Sequence, residues 1–232
     1  DALGIDMSTE EFPFGMSRPI EVGCAVGRAA RVSFVGELGW EIYVSADVAA
    51  HAFETLHAAG HDMGLKLCGM HMMDAGRIEK GFRHFGHDIT CEDHVLEAGL
   101  GFAVKADKPS FIGREAVLAK KEKGLSKRLV QFKLTDPEPL LYHNEPIWRG
   151  DAIVGSIRSG MYGHTLGAAT GLGYVEAPSG QVLGEIGADE FEIEMLDRIM
   201  FWKAAAGNDA IADIGRFQCG EDARPVGIAG WV

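Results

Sequence analysis

The sequence lacks three features, and each absence excludes a class of protein. It has no apolar run near eighteen residues, so a transmembrane helix is not expected. Its four cysteines lack the spacing of a disulfide framework, which predicts free thiols in a reducing compartment. The net charge of −12 argues against general nucleic-acid binding. We therefore expect neither a membrane nor a nucleic acid as a partner.

A start signal is missing as well. The chain begins at Asp1 without a methionine and shows no signal peptide, which is typical of a fragment or a processed product. These features predict a cytoplasmic protein, or one of the mitochondrial matrix if the source is eukaryotic. What is present is ample apolar sequence: 47% of the 232 residues are hydrophobic, enough to bury one real core or two modest ones.

Positive charge is scarce overall but is concentrated in one segment. Between Lys105 and Lys133, nine basic residues stand against three acidic ones. A solvated helix that links two domains explains this pattern, and so does a surface for an anionic ligand tail or an acidic partner. We place a basic linker at 105–126, with one domain at 1–104 and another at 127–232.

The patterns in the first domain predict two strands, two helices and a third strand. Runs of β-branched and aromatic residues mark the strands, and apolar residues at helical spacing mark the helices. The expected elements are strands at 31–35 and 40–44, helices at 45–60 and 69–82, and a strand at 96–104. This order predicts an α+β fold, in which an antiparallel sheet carries helices on one face.

The second domain shows a different texture. A short helix is expected at 111–120, and from Lys127 onward short β-like runs are separated by Gly, Pro and Asp. These runs cover 129–134, 145–148, 152–158 and 171–175. They predict a small C-terminal β-barrel or sandwich.

The predicted hairpin suggests a binding face. If Val35 pairs with Trp40, then Phe34 lies opposite Glu41, and directly opposed residues share one face of a sheet. An aromatic ring beside a carboxylate suits a flat heterocycle whose edge carries adjacent N–H donors. The alternative is a solvent-facing glutamate beside a core phenylalanine.

Residues 66–102 combine several reactive side chains in a short stretch. Asp74 and Arg77 lie three apart on a helix and can pair. The following loop has nitrogen and sulfur donors of the kind that zinc accepts, at His84, His87, Cys91 and His94. Because the residues between them form no finger or ribbon framework, we expect a hydrogen-bonded loop without metal, and a zinc site is the alternative.

A series of ordered motifs resembles the glycine-cleavage T-protein (aminomethyltransferase) family. They are FVGELGWEIY at 34–43, Asp74-x-x-Arg77-x-Glu79, GHDI at 86–89, LEAGLGF at 96–102, FIGR at 111–114 and GLGYV at 171–175. The runs IEKGFRHFGHDI at 78–89, EPIW at 145–148 and YGHT at 162–165 are closer to the folate domains of dimethylglycine and sarcosine dehydrogenases. The resemblance covers residues 8–194, and the tail beyond them departs from the family pattern.

The resemblance implies a tetrahydrofolate pocket and names its residues. Glu41 matches the family position that holds the pterin edge. Phe34 matches the tyrosine beside that position, and Phe102 matches an aromatic residue that packs against the benzoyl ring. Arg77 matches a family arginine, with a purely structural pairing to Asp74 as the alternative. Met73 replaces an arginine of the family, so the contact to the folate tail is unassigned. The family's catalytic aspartate belongs to a domain that would precede residue 1, so the catalytic residues are unknown.

The function implied by this resemblance is tetrahydrofolate-dependent transfer of a one-carbon unit from a small amine. Folate, the amine donor and a flavin-bearing domain or subunit are the expected partners. A non-catalytic folate-binding or scaffold module of a larger flavoprotein is the alternative. A metal-binding regulatory domain built on the loop from His84 to His94 is a third.

Overall fold

The computed structural model describes residues 3–179, 181–183, 192–194 and 216–218. The chain divides into two compact units, Asp1–Met73 and Asp74–Val232. The prediction of a divergent tail over 195–232 lies outside the described residues, apart from the short strand at 216–218. None of the described helices combines the length and the apolar character needed to cross a membrane.

The first unit is a three-stranded antiparallel sheet with a helix against it. Its elements are β1 (Ser17–Val22), β2 (Ala25–Ala30), β3 (Glu41–Val44) and α1 (Ala49–His61). The strand order is β1-β2-β3. Alanines alternate on the inner face of β2, and their small size lets Ala52 of α1 pack closely against the sheet. The core of this unit consists of Phe12, Ile20, Val22, Ala25, Ala29 and Ala52.

Helix α2 (Met70–Glu79) leads into the second unit, which is built on a larger antiparallel sheet. Its further elements are α3 (Arg114–Lys123), β4 (Lys127–Lys133), β5 (Pro146–Arg149), β6 (Ala152–Gly163), β7 (Ala168–Glu176), β8 (Glu192–Glu194) and β9 (Arg216–Gln218). The strand order is β4-β7-β6-β5-β8-β9. The predicted α+β class with antiparallel sheets is therefore confirmed.

The two faces of β4, β6 and β7 carry two separate clusters of buried side chains. One cluster includes Phe132, Ile147 and Ile157, all with no exposed surface. The other packs Ile78, from the end of α2, against Leu172 and neighbouring side chains of the sheet. The glycine-rich run of β7 has a packing reason, since a Cβ on Gly173 would lie 2.8 Å from the backbone oxygen of Ser156.

Besides the strand predicted at 31–35, which lies outside the observed strands, two predicted elements differ from the structure. The strand expected at 96–104 is a series of turns ending in a short 3₁₀ helix, Gly101–Ala103. Gly99 there has a φ of +70°, a left-handed conformation that a strand cannot contain. The helix expected to reach residue 82 ends at Glu79, because Gly81 also has a positive φ of 68°.

Candidate functional site

Glu41 lies on the outer face of the three-stranded sheet in the first unit. It is exposed, and the Tyr43 hydroxyl, two residues along the same strand, donates a hydrogen bond to its carboxylate. That hydrogen bond, together with the negative charge of Glu41, raises the pKa of Tyr43 above its usual value of 10.0. The two side chains therefore present a carboxylate and a phenol on one exposed surface.

The predicted pairing of Phe34 with Glu41 is wrong. Glu41 lies opposite Ala30, and residues 31–40 form the loop between β2 and β3, with Phe34 inside it. The strand ends at Ala30, and the side chain of Arg31, the next residue, donates to the backbone oxygen of Phe12 at 2.6 Å. The Arg31 guanidinium also lies 5.3 Å from the centre of the Trp40 ring. These contacts fix a ten-residue loop where local β-propensity favoured a strand.

Arg77 is buried in the second unit, with 2% of its surface exposed. Its Nε donates to Asp74 at 2.9 Å, one Nη donates to the Phe82 carbonyl and pairs with Asp88, and the other donates to Ser159 at 3.0 Å. The predicted pairing with Asp74 is thus confirmed. The guanidinium joins α2, the loop after it and strand β6.

Two further side chains fasten the end of α2 to the sheet. The Glu79 carboxylate accepts hydrogen bonds from the backbone N–H groups of Thr165 and Leu166, in the turn between β6 and β7. Gln131 of β4 donates to the carbonyls of Ile78 and Glu79, which lack partners within the helix. The Asp-x-x-Arg-x-Glu motif therefore has a structural role in this unit.

Phe102 lies at a cavity of about 510 Å³ in the second unit, with 62% of its surface exposed. Glycines and apolar side chains form part of the wall, and three cations complete it: Arg83, Lys121 and Arg128. None of the three has a carboxylate within ion-pair distance among the described residues. Burial lowers the pKa of Arg83, although its Nε and one Nη donate to the carbonyls of Ala98 and Gly81. An anion with an aromatic group matches this wall.

The basic segment after residue 105 makes two ion pairs with the loop that precedes it. Lys120 lies 2.6 Å from Glu97, and Lys127 lies 2.6 Å from Asp93. Burial opposes ionisation of Glu97, but the hydrogen bond and charge of Lys120 outweigh it and lower the pKa of that carboxyl. Burial also opposes ionisation of Asp93, but the hydrogen bond from Lys127 and other contacts outweigh it and lower the pKa of that carboxyl.

Hydrogen bonds to Asp88 hold the histidine-rich loop. Asp88 is 1% exposed, and its carboxylate accepts hydrogen bonds from Arg77, Ser159 and the backbone N–H of His84. Within the part of the chain that the structure describes, no three His, Cys, Asp or Glu side chains form a metal-binding group. Sequence reasoning missed Ser159, because no motif marks it. A bulge near Arg158 in β6 brings Ser159 opposite Leu172, and opposed residues share a face, here the one that packs on Ile78 of α2.

Comparison with protein families identifies two domains in order. The GCVT N-terminal domain model matches residues 2–108. The glycine cleavage T-protein C-terminal barrel domain model matches residues 127–205. The second match agrees with the barrel predicted for the C-terminal part of the chain.

Several curated proteins are similar to most of this chain. A 4-methylaminobutanoate oxidase (formaldehyde-forming) of Paenarthrobacter nicotinovorans is 41% identical over 84% of this chain and 23% of its own length. Human mitochondrial sarcosine dehydrogenase is 38% identical over 78% of this chain and 20% of its own. An aminomethyltransferase of Halothermothrix orenii is 44% identical over 63% of this chain and 41% of its own. The chain thus spans between a fifth and two fifths of these relatives.

A solved structure supports the fold. The glycine cleavage system aminomethyltransferase T from Bartonella henselae superposes with a TM-score of 0.67 at 21% identity, over 87% of this chain and 50% of that one. The two family models, which match residues 2–108 and 127–205, show that the chain belongs to the glycine cleavage T-protein family.

Proposed function

We propose that this chain binds tetrahydrofolate and takes part in the transfer of a one-carbon unit from a small amine. Membership of the T-protein family supports the proposal. So do relatives whose names describe an aminomethyltransferase and enzymes of N-methyl amines, among them sarcosine dehydrogenase and 4-methylaminobutanoate oxidase.

The observation that carries the proposal is the wall of the cavity at Phe102. The reduced folates combine a pterin, a benzoyl ring and a glutamate with two carboxylates. An exposed aromatic ring next to three cations without carboxylate partners fits the benzoyl-glutamate half of such a molecule. Arg128 and Lys121 would hold the carboxylates as exposed cations, and Phe102 would pack on the ring.

Glu41 is proposed to receive the edge of the pterin. A carboxylate offers two acceptor oxygens and can take two parallel N–H donors. Tyr43 adds a hydroxyl on the same face, and it is the aromatic neighbour of Glu41 that the sequence had predicted to be Phe34. We keep Phe34 as a candidate for packing on the pterin from its loop, because the ring is only partly buried.

Arg77 is proposed as a positioning residue, which is the structural alternative to its prediction as a cofactor ligand. With 2% of its surface exposed and four protein acceptors in reach, its donors serve the fold rather than a ligand. It holds the loop of Asp88 and His87 against β6.

Tetrahydrofolate supplies the amine nitrogen that takes up the one-carbon unit. The protein's task is to hold both partners in register and to keep water from the reacting carbon. Contacts at Phe102 and at the cations of the same cavity would orient the folate without taking part in proton transfer.

The proposal is tested by titrating the 232-residue chain with tetrahydrofolate in a calorimeter. Phe102→Ala should weaken binding about tenfold, because a ring stacked on an aromatic ligand contributes on the order of 1 kcal/mol beyond its buried area. Phe85→Ala is the matched control: this ring is 69% exposed in the same unit and does not line the cavity. Equal effects of the two substitutions would contradict the assignment.

A non-catalytic folate-binding or scaffold role is the second candidate. It is favoured by the Asp-x-x-Arg-x-Glu motif, whose Arg77 and Glu79 side chains are both engaged in hydrogen bonds within the protein. Tetrahydrofolate binding without any amine-dependent product would support it. Under either function a flavin-bearing domain or subunit is the proposed partner, and the compartment, cytoplasm or mitochondrial matrix, stays a prediction from the sequence.

A further inference from the structure

Ser159 has more hydrogen-bonding neighbours than its single proton can serve. Its Oγ lies 3.0 Å from an Nη of Arg77 and 3.0 Å from Nδ1 of His87, and it also contacts the carboxylate of Asp88. A hydroxyl donates one hydrogen bond and accepts two. Arginine can only donate, and Asp88, ion-paired with Arg77, can only accept. The hydroxyl of Ser159 therefore donates its hydrogen bond to Asp88.

This assignment fixes the proton on His87. The hydroxyl of Ser159 uses its one hydrogen in the hydrogen bond to Asp88. Nδ1 of His87 must therefore carry a hydrogen and donate a hydrogen bond to Ser159. In the neutral ring, Nε2 then holds a free lone pair. The side chain is 48% exposed, and no described residue bonds Nε2. The hydrogen bonds from His87 to Ser159 and from Ser159 to Asp88 thus fix the tautomer of His87 and leave its Nε2 available as a base.

Aromatic rings gather around this base. The His84 ring is stacked on His87 at 6.0 Å between centres, and the His143 ring stands edge-on at 6.3 Å. Tyr142, 61% exposed, lies 4.3 Å from His143. The face of the Tyr142 ring attracts organic cations, and the nearest buried charges, Arg77 and Asp88, are paired with each other.

We infer that His87 is an amine-binding base, whose Nε2 accepts a hydrogen bond, and then a proton, from a small protonated amine held among these rings. The inference rests on the proposed function for its ligand class. In the step, the N–H bond of R2NH2⁺ breaks, a new N–H bond forms at Nε2, and a neutral amine and an imidazolium result. The hydrogen bond from Nδ1 to Ser159 keeps the ring in place, and exchange with water removes the proton again.

The tautomer is tested first, by nitrogen-15 NMR of the full chain at roughly pH 8.5, two units above the ordinary histidine pKa of about 6.5. His87 should show hydrogen on Nδ1. His164 is the control: it is exposed beside Tyr162 and has no serine and aspartate behind it, so it should show the Nε2–H form preferred by free histidine. Ser159→Ala should move His87 toward that form. An Nε2–H form of His87 in the wild-type chain would overturn the inference.

The ligand class is tested by titrating the same sample with dimethylammonium and with tetramethylammonium, which has no N–H group. Dimethylammonium should shift the Nε2 resonance of His87 and bind more tightly than tetramethylammonium. His87→Gln, at an exposed position where the fold tolerates it, should weaken dimethylammonium binding about fivefold, as the loss of one hydrogen bond requires. Equal affinities for the two cations, or an unmoved Nε2 resonance, would overturn it.

Failure of this inference is distinguishable from failure of the proposed function. Tetrahydrofolate binding together with an Nε2–H tautomer would overturn the role of His87 and leave the folate proposal standing. The expected tautomer and amine response, without tetrahydrofolate binding, would support the amine site and contradict the folate proposal.

Discussion

Replacing Arg77 tests whether the Asp-x-x-Arg-x-Glu motif is a structural joint. Arg77→Leu removes a guanidinium that donates to Asp74, Phe82, Asp88 and Ser159. The Asp88 carboxylate, with 1% of its residue surface exposed, would keep its hydrogen bonds from His84 and Ser159 but lose the guanidinium that it is paired with. A buried charge left without its partner cannot return to water in the folded state.

The expected loss follows from that burial. Removing one member of a buried ion pair costs about 3–5 kcal/mol of unfolding free energy, far more than the same change at the surface. Arg77→Lys should cost about 1–3 kcal/mol, since an ammonium keeps the charge but cannot reach three acceptors on different elements. Arg28→Leu is the control, because Arg28 is exposed and its side chain bonds Ser17 alone among the described residues, and it should cost about 1 kcal/mol or less.

Urea unfolding followed by circular dichroism measures these differences, with midpoints compared at equal slopes. The reasoning predicts the order Arg77→Leu, Arg77→Lys, Arg28→Leu from largest to smallest loss. If Arg77→Leu stayed within about 1 kcal/mol of the wild-type chain, the buried pair would not stabilise the fold as described.

Three further predictions follow from other parts of the molecule. Because the pKa of Glu97 is lowered in the folded chain, its pairing stabilises the fold above its ordinary value of 4.5, and that stability is lost as the pH falls through the lowered pKa. Lys120→Met should therefore flatten the pH dependence of the urea midpoint below 4.5, whereas Lys123→Met, with no carboxylate partner among the described residues, should not. Glu41→Gln should lower the pKa of Tyr43 toward 10.0 in an ultraviolet titration, and an unchanged value would mean that the hydrogen bond is absent in solution. Elemental analysis should find no stoichiometric zinc, and one zinc per chain that is lost in His87→Ala would establish the metal alternative.

Local patterns predicted the second unit better than the first. The strands expected at 129–134, 145–148, 152–158 and 171–175 all fall within or beside β4 to β7, where β-branched residues and glycines alternate with turns. The T-protein resemblance was confirmed by the two domain models. A series of motifs in a fixed order predicts the fold well, because its residues reflect packing between distant parts of the chain.

The hairpin shows where such patterns fail. Residues 31–35 have high β-propensity, yet the strand lies at Ala25–Ala30, where alanines allow close packing against α1. Arg31 then anchors the loop to Phe12, a contact between residues nineteen apart that no local pattern encodes. Ser159 was missed for a related reason: it meets Arg77 across 82 positions of sequence.

The central claim, that this chain binds a reduced folate, is tested most directly by one calorimetric comparison. Tetrahydrofolate is titrated into the wild-type chain, Glu41→Gln and the control Glu21→Gln, an exposed glutamate on the same outer sheet face. The account predicts one site per chain and an affinity at least about tenfold weaker in Glu41→Gln, since a charge-assisted hydrogen bond contributes about 1.5–3 kcal/mol. No binding by the wild-type chain, or equal affinities for all three proteins, would contradict it.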